Sequence, residues 1–152
     1  MDALAAVSAL CLHLLATGYT TEPPAGALHT CEDVGALAVA HGVPPVLALA
    51  LAYTESRLDA TAVSTRGARG PLQVLPAFHC PGGRLRGCDT ALAGILALVR
   101  YRDRYRTEGW PGVLCHWNSG NRCYRRSRAF ARIVLERAEA LTTHGGGQTC
   151  GP

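Results

Sequence analysis

"ALAYTESRLDATAVSTRGARGPLQVLP", residues 50–76, is the stretch on which the reading turns. An apolar run carries a single glutamate, Glu55, then breaks into a Gly-rich segment that ends in Gln73. Pro44 and Pro45 open a helix of about 45–57, at positions where proline costs little. Val46, Leu47, Leu49, Ala50 and Leu51 make it apolar on most sides, which marks a central helix. An ionised carboxylate in such a place is unfavourable unless paired, so Glu55 tends to hold its proton. A glutamic acid protonated near neutral pH is a general acid. The plainer alternative puts Glu55 at an exposed helix end beside Arg57.

The pattern on either side is also helical. Thr30, with Asp33 reaching back, is expected to cap a helix running to about Gly42. Asp89 or Thr90 caps "ALAGILALVRYRDRYR", apolar at Leu92, Ile95, Leu96 and Val99. A short helix follows Pro111 and ends in "CHWNSGNRC", 115–123. Ser127 starts a final helix with Phe130, Ile133, Val134, Ala138 and Leu141 on one face. Residues 59–76 and 79–88 read as loops. The expected fold is mainly α, with the helix that carries Glu55 at its centre and an irregular Gly-rich segment after it. The expected divisions are an apolar leader over 1–18, a linker over 19–30, a catalytic domain over 31–141 and a flexible tail over 142–152.

A chain of 152 residues that is 48% hydrophobic can bury one real core. The net charge of +4 comes from 15 arginines without a lysine, which suits anionic partners without choosing among them. Seven cysteines, none in a CxxC pair, suit an oxidising compartment. Cleavage of the leader after Gly18 would remove Cys11 and leave an even six, although no basic residue precedes the apolar run. An uncleaved, packed helix is the alternative. Cys80 with Cys88 and Cys115 with Cys123 could staple local loops, and Cys31 with Cys88 competes.

Beyond Glu55 and Ser56, "AVS" (62–64), "GARGPLQ" (67–73), "HWNSG" (116–120) and "SRAFARIV" (127–134) follow in order. Together they resemble the SLT-type lytic transglycosylases of the goose-type lysozyme-like superfamily, over roughly 31–141. The small members associated with secretion, conjugation or phage entry are the nearest in pattern. The resemblance implies that Glu55 is the sole catalytic acid/base and that Ser56, Ser64, Gln73, Trp117, Asn118, Gly120 and Phe130 stand at substrate-cleft positions. It departs at Pro71-Leu72, in place of Leu-Met. It also departs at Phe130, where many members carry a tyrosine whose hydroxyl touches the carboxylate; Tyr53 or Tyr124 are candidate substitutes.

The reaction so implied is cleavage of the MurNAc-β-1,4-GlcNAc bond of peptidoglycan with closure of a 1,6-anhydro ring, without metal or cofactor. Asp59, Asp89 and Asp103 offer no convincing second carboxylate, and substrate-assisted chemistry needs only one. Hydrolysis by the same glutamate, as in a muramidase, is the alternative. The implied partners are glycan strands, a secretion or conjugation apparatus or a phage particle, with the chain a monomer acting outside the cytoplasm or in a virion. Two rivals rest on other residues. "RYRDRYR" and "RCYRRSRAFAR" could bind nucleic acid, but a solvated helix face explains them more simply, and no nucleic acid is expected. A zinc site from His79, Cys80, Cys88, Cys115, His116 and Cys123 lacks regular spacing. A silent wall-binding module would have no need of Glu55.

Overall fold

In the computed structural model, which describes residues 2–145 (backbone alone at 144 and 145), seven α-helices carry the fold. They are α1 (Ala3–Thr17), α2 (Ala27–Ala40), α3 (Pro45–Ser56), α4 (Pro76–His79), α5 (Thr90–Arg104), α6 (Gly109–Ser119) and α7 (Arg125–Gly145). Among the described residues there is no strand, only isolated bridges joining Arg69 to Val63 and to Val74. The mainly α architecture is as the periodicity predicts.

Helix α3 is the hub. Every residue from Leu47 to Tyr53 is buried, and the helix packs on α2 and α7. Leu49 and Leu51 are fully enclosed, each contributing roughly 2–3 kcal/mol by removal from water. Pro45 sits in its first turn and Arg57 ends it in the left-handed conformation. The glutamate is thus delivered at the last turn of an otherwise apolar rod. Around this rod α1 packs on α2, α5 on α2 and α6, and α6 on α7.

Within the run 1–18, read as a leader, Ala3–Thr17 folds as α1 with Val7, Cys11 and Leu14 buried. Cys11 is disulfide-bonded to Cys31 of α2, and Cys80–Cys88 and Cys115–Cys123 close local loops. The competing Cys31–Cys88 pairing is therefore replaced, because α1 and α2 bring Cys11 and Cys31 side by side. Cys150 lies outside the described residues.

Some boundaries shift. Helix α2 begins at Ala27, so the linker is shorter than 19–30, with Gly26 rather than Thr30 at the cap. The Thr30 hydroxyl instead donates to Gly26 O at 3.1 Å, inside the first turn. Asp89 does cap α5, accepting from Leu92 N at 3.0 Å. Helix α6 starts at Gly109, ahead of Pro111, which a first turn tolerates. Helix α7 starts at Arg125 and continues to Gly145, into what was read as tail; the rest of 142–152 lies outside the described residues. Its buried positions are Ser127, Ala131, Val134, Ala138 and Leu141, a 4-3-4-3 phase that leaves Ile133 at the surface.

The short segment after α1 clamps the end of α3. The Tyr53 hydroxyl donates to Gly18 O, and the Tyr19 hydroxyl donates to Arg57 O at 2.5 Å. The Arg57 guanidinium lies over both rings. Burial, with Tyr53 beside it, pushes the Tyr19 phenol up to about 12, so it stays a donor.

Candidate active site

The segment after α3 folds back as a compact loop against α5. Ser64 N donates to Ala68 O at 3.0 Å, Gly70 N to Ala62 O at 3.0 Å, and Arg69 N to Val74 O at 2.8 Å. Gly70 has a φ of 75°, and a Cβ there would run into the Thr90 hydroxyl. Gly94 of α5 lets Leu72 lie flat on the helix. These two glycines set how closely the loop approaches α5.

The loop, α3, α4, α5 and α6 enclose a cleft of about 290 Å³ lined by Glu55, Ser64, Arg66, Ala68, Gln73, Leu75, His79, Tyr101, Trp117 and Asn118. Among the described residues Glu55 is the one carboxylate in that lining. Glu55 Oε1 accepts from Trp117 Nε1 at 2.9 Å. Burial pushes its carboxyl up to about 7, and the indole N–H, which favours the anion, offsets only part of that rise. A side chain with that value can both give and take a proton near neutrality.

Trp117 is itself held. The His79 ring stacks beside it at 6.3 Å between centroids, and Tyr101 meets it edge-on at 6.0 Å. On the preceding residue, the buried His116 stacks flat on Tyr105 at 3.6 Å. His116 Nδ1 lies 2.6 Å from Gly120 O, closing the turn that ends α6, and Nε2 lies 3.2 Å from Glu108. The tyrosines of "RYRDRYR" thus pack partly against the core.

Of the positions named from sequence, Glu55, Ser64, Gln73, Trp117 and Asn118 meet in the cleft; Ser56, Gly120 and Phe130 lie outside its lining. The Ser56 hydroxyl faces Ala52 O at 3.1 Å and Pro71 O at 2.8 Å, so it fastens the loop to α3. Gly120, with a φ of 76°, forms the turn after Trp117. Phe130 packs against the core, as an apolar ring does where a hydroxyl is lost. Neither candidate tyrosine substitutes: the Tyr53 hydroxyl is spent on Gly18, and Tyr124 is exposed. Ser64 Oγ accepts from Arg66 N and Ala68 N at 3.2 and 3.0 Å. Gln73, at a φ of 52°, donates Nε2 to Gly70 O and Ala62 O at 2.9 and 3.2 Å. Both side chains hold the loop whose surface forms the cleft wall.

Arg66, Leu75, His79 and Tyr101 line the cleft from outside the motifs that carry the resemblance. In the sequence His79 stands only among the zinc candidates, and Tyr101 in a helix end that reads as solvated. Other carboxylates have other work. Asp59 accepts from Thr61 N and Oγ1 at 2.8 and 2.7 Å in a turn, Asp89 caps α5, and Asp103 pairs with Arg102 at the surface. A larger cavity, about 440 Å³, lies between α6 and α7, but its carboxylates, Glu108, Glu136 and Glu139, are exposed. Size therefore does not choose the site; enclosure of the acid does. The zinc reading loses its thiols to the Cys80–Cys88 and Cys115–Cys123 disulfides.

Comparison with curated proteins and with solved structures returns no match. A family model described as the transglycosylase SLT domain matches residues 34–131. That span encloses every element lining the cleft, and the chain belongs to the SLT transglycosylase family, whose members act lytically on peptidoglycan.

Proposed function

We propose that this protein cleaves the MurNAc-β-1,4-GlcNAc bond of peptidoglycan by lytic transglycosylation, with Glu55 as its single acid/base. The observation that carries this reading is a lone enclosed carboxyl, raised to about 7 and hydrogen-bonded to an indole, in the cleft that Trp117 and Asn118 line. Glu55 donates its proton to the glycosidic oxygen as the bond from MurNAc C1 breaks, and GlcNAc leaves with its O4 hydroxyl. The muramic N-acetyl oxygen stabilises the cation at C1, the task a second carboxylate performs in other glycosidases. The Glu55 carboxylate then takes the proton of the muramic O6 hydroxyl, and O6 bonds to C1. The 1,6-anhydro ring closes, the acid is restored and no water is consumed.

The three disulfides support an activity outside the cytoplasm, where cystine persists. Among the described residues no helix is long and apolar enough to cross a membrane. Digestion of purified peptidoglycan followed by product mass analysis tests the proposal. Anhydro ends are expected; reducing ends, heavier by one water, would instead make the enzyme a muramidase.

A further inference from the structure

Helix α4 is four residues long and ends in Phe78 and His79, both outside the motifs that placed the cleft. His79 lines the cleft, while Phe78 is 77% exposed. Their ring centroids lie 6.5 Å apart at 70°, and His79 in turn stacks beside Trp117. Aromatic surface therefore runs from the indole that holds Glu55, through an imidazole, to a phenyl ring open to solvent. Single exposed apolar side chains are common; what marks this one is that its ring continues the aromatic lining of the cleft.

The imidazole is oriented by backbone. Its Nδ1 faces Leu75 N at 3.0 Å and Leu75 O at 3.1 Å, and among the described residues Nε2 has no protein partner. Burial, then the nearby Arg100 charge, holds the ring below the usual histidine range, against the Leu75 contact. It therefore stays neutral in use, with one nitrogen committed and one available. Next in the chain, Cys80 is tied to Cys88, whose neighbour Asp89 caps α5. Two residues that would otherwise lie on a free loop are thus fixed to a rigid helix.

Resting on the transglycosylase reading, we propose that Phe78 and His79 form a saccharide-binding lip that grips a glycan unit beyond the one being cut. The phenyl face packs on a pyranose ring, and His79 Nε2 hydrogen-bonds a hydroxyl or N-acetyl group of the strand. Glycan strands suit this surface because alternating apolar ring faces and polar rims match a ring flanked by one polar atom. The lip contributes strand affinity, not proton transfer.

The test measures binding and turnover separately. A β-1,4-linked N-acetylglucosamine oligomer is titrated by tryptophan fluorescence into Glu55→Gln, alone and combined with Phe78→Ser, His79→Ala or His79→Gln. The same lip changes, with Glu55 intact, are assayed on purified peptidoglycan, and thermal melting verifies each fold. Phe78→Ser and His79→Ala are each expected to raise Kd and KM about tenfold, with kcat within about twofold in Phe78→Ser, the change that leaves the imidazole stacked beside Trp117. His79→Gln should recover most of the affinity, because its amide nitrogen lies where Nε2 did. Unchanged Kd in either Phe78→Ser or His79→Ala overturns the lip, as does a fall in kcat at unchanged Kd in Phe78→Ser. Persistent turnover by Glu55→Gln would instead sink the catalytic reading, and the titrations would still judge the lip.

Discussion

The Nε1–H of Trp117 reaches Oε1 of Glu55 at 2.9 Å, across 62 residues of chain. This bond takes the place expected of a tyrosine hydroxyl from the Phe130 position. An indole N–H can only donate, so it favours the carboxylate over the acid. It thereby sets how far burial can raise the Glu55 carboxyl.

The rate should follow the protonated fraction of Glu55. With that group at about 7, kcat/KM is expected to fall as pH rises through neutrality. Trp117→Phe removes the donor that opposes the rise, so its alkaline limb should move to higher pH, together with a lower kcat. A pH–rate profile of both proteins checks this; an unshifted limb in the variant would mean another group controls it.

Glu55→Gln should abolish turnover, by about 10³-fold or more, while leaving the fold more stable above neutrality. The folded protein holds a proton that the unfolded chain, near 4.5, has released, so stability falls as pH rises from about 4.5 to about 7. The penalty carried above that window is on the order of 3 kcal/mol. Melting curves should show the variant gaining over wild type at pH 8 and matching it near pH 4.

Gly94→Ala weighs two effects against each other. Alanine in a helix is worth about 1 kcal/mol over glycine, but overpacking costs about 1–3 kcal/mol. The new Cβ would lie 2.6 Å from Leu72 Cδ1 and 2.7 Å from Leu72 Cβ, too close for the side chain to turn aside. The clash is expected to win, lowering the denaturation midpoint, with activity falling as the loop shifts. A stabilised variant would contradict this packing.

Replacing Cys11 and Cys31 together with serine should cost about 2–4 kcal/mol, since the bridge closes a loop of 20 residues. For a chain of this size that is roughly 5–15 °C in the melting temperature. The loss should vanish when wild type is compared under reductant, because the bridge is then open in both.

The sequence by itself determined the helical class, the burial of α3 and the position of the carboxyl proposed as the acid. An apolar helix that carries one carboxylate has few physical readings, and the ordered motifs around Ser64, Gln73 and Trp117 narrowed them to one cleft. Tertiary structure alone decided which atoms meet. Ser56, adjacent to the acid, turns to the Pro71 carbonyl because residues i and i+1 leave a helix about 100° apart. Trp117 rather than the 130 position reaches the carboxylate, and His79 enters the cleft by way of a disulfide-anchored turn. Period and composition report which face of a helix is buried. They carry no record of how far one helix slides along another, and a hydrogen bond between side chains 62 positions apart depends on that distance to within an ångström.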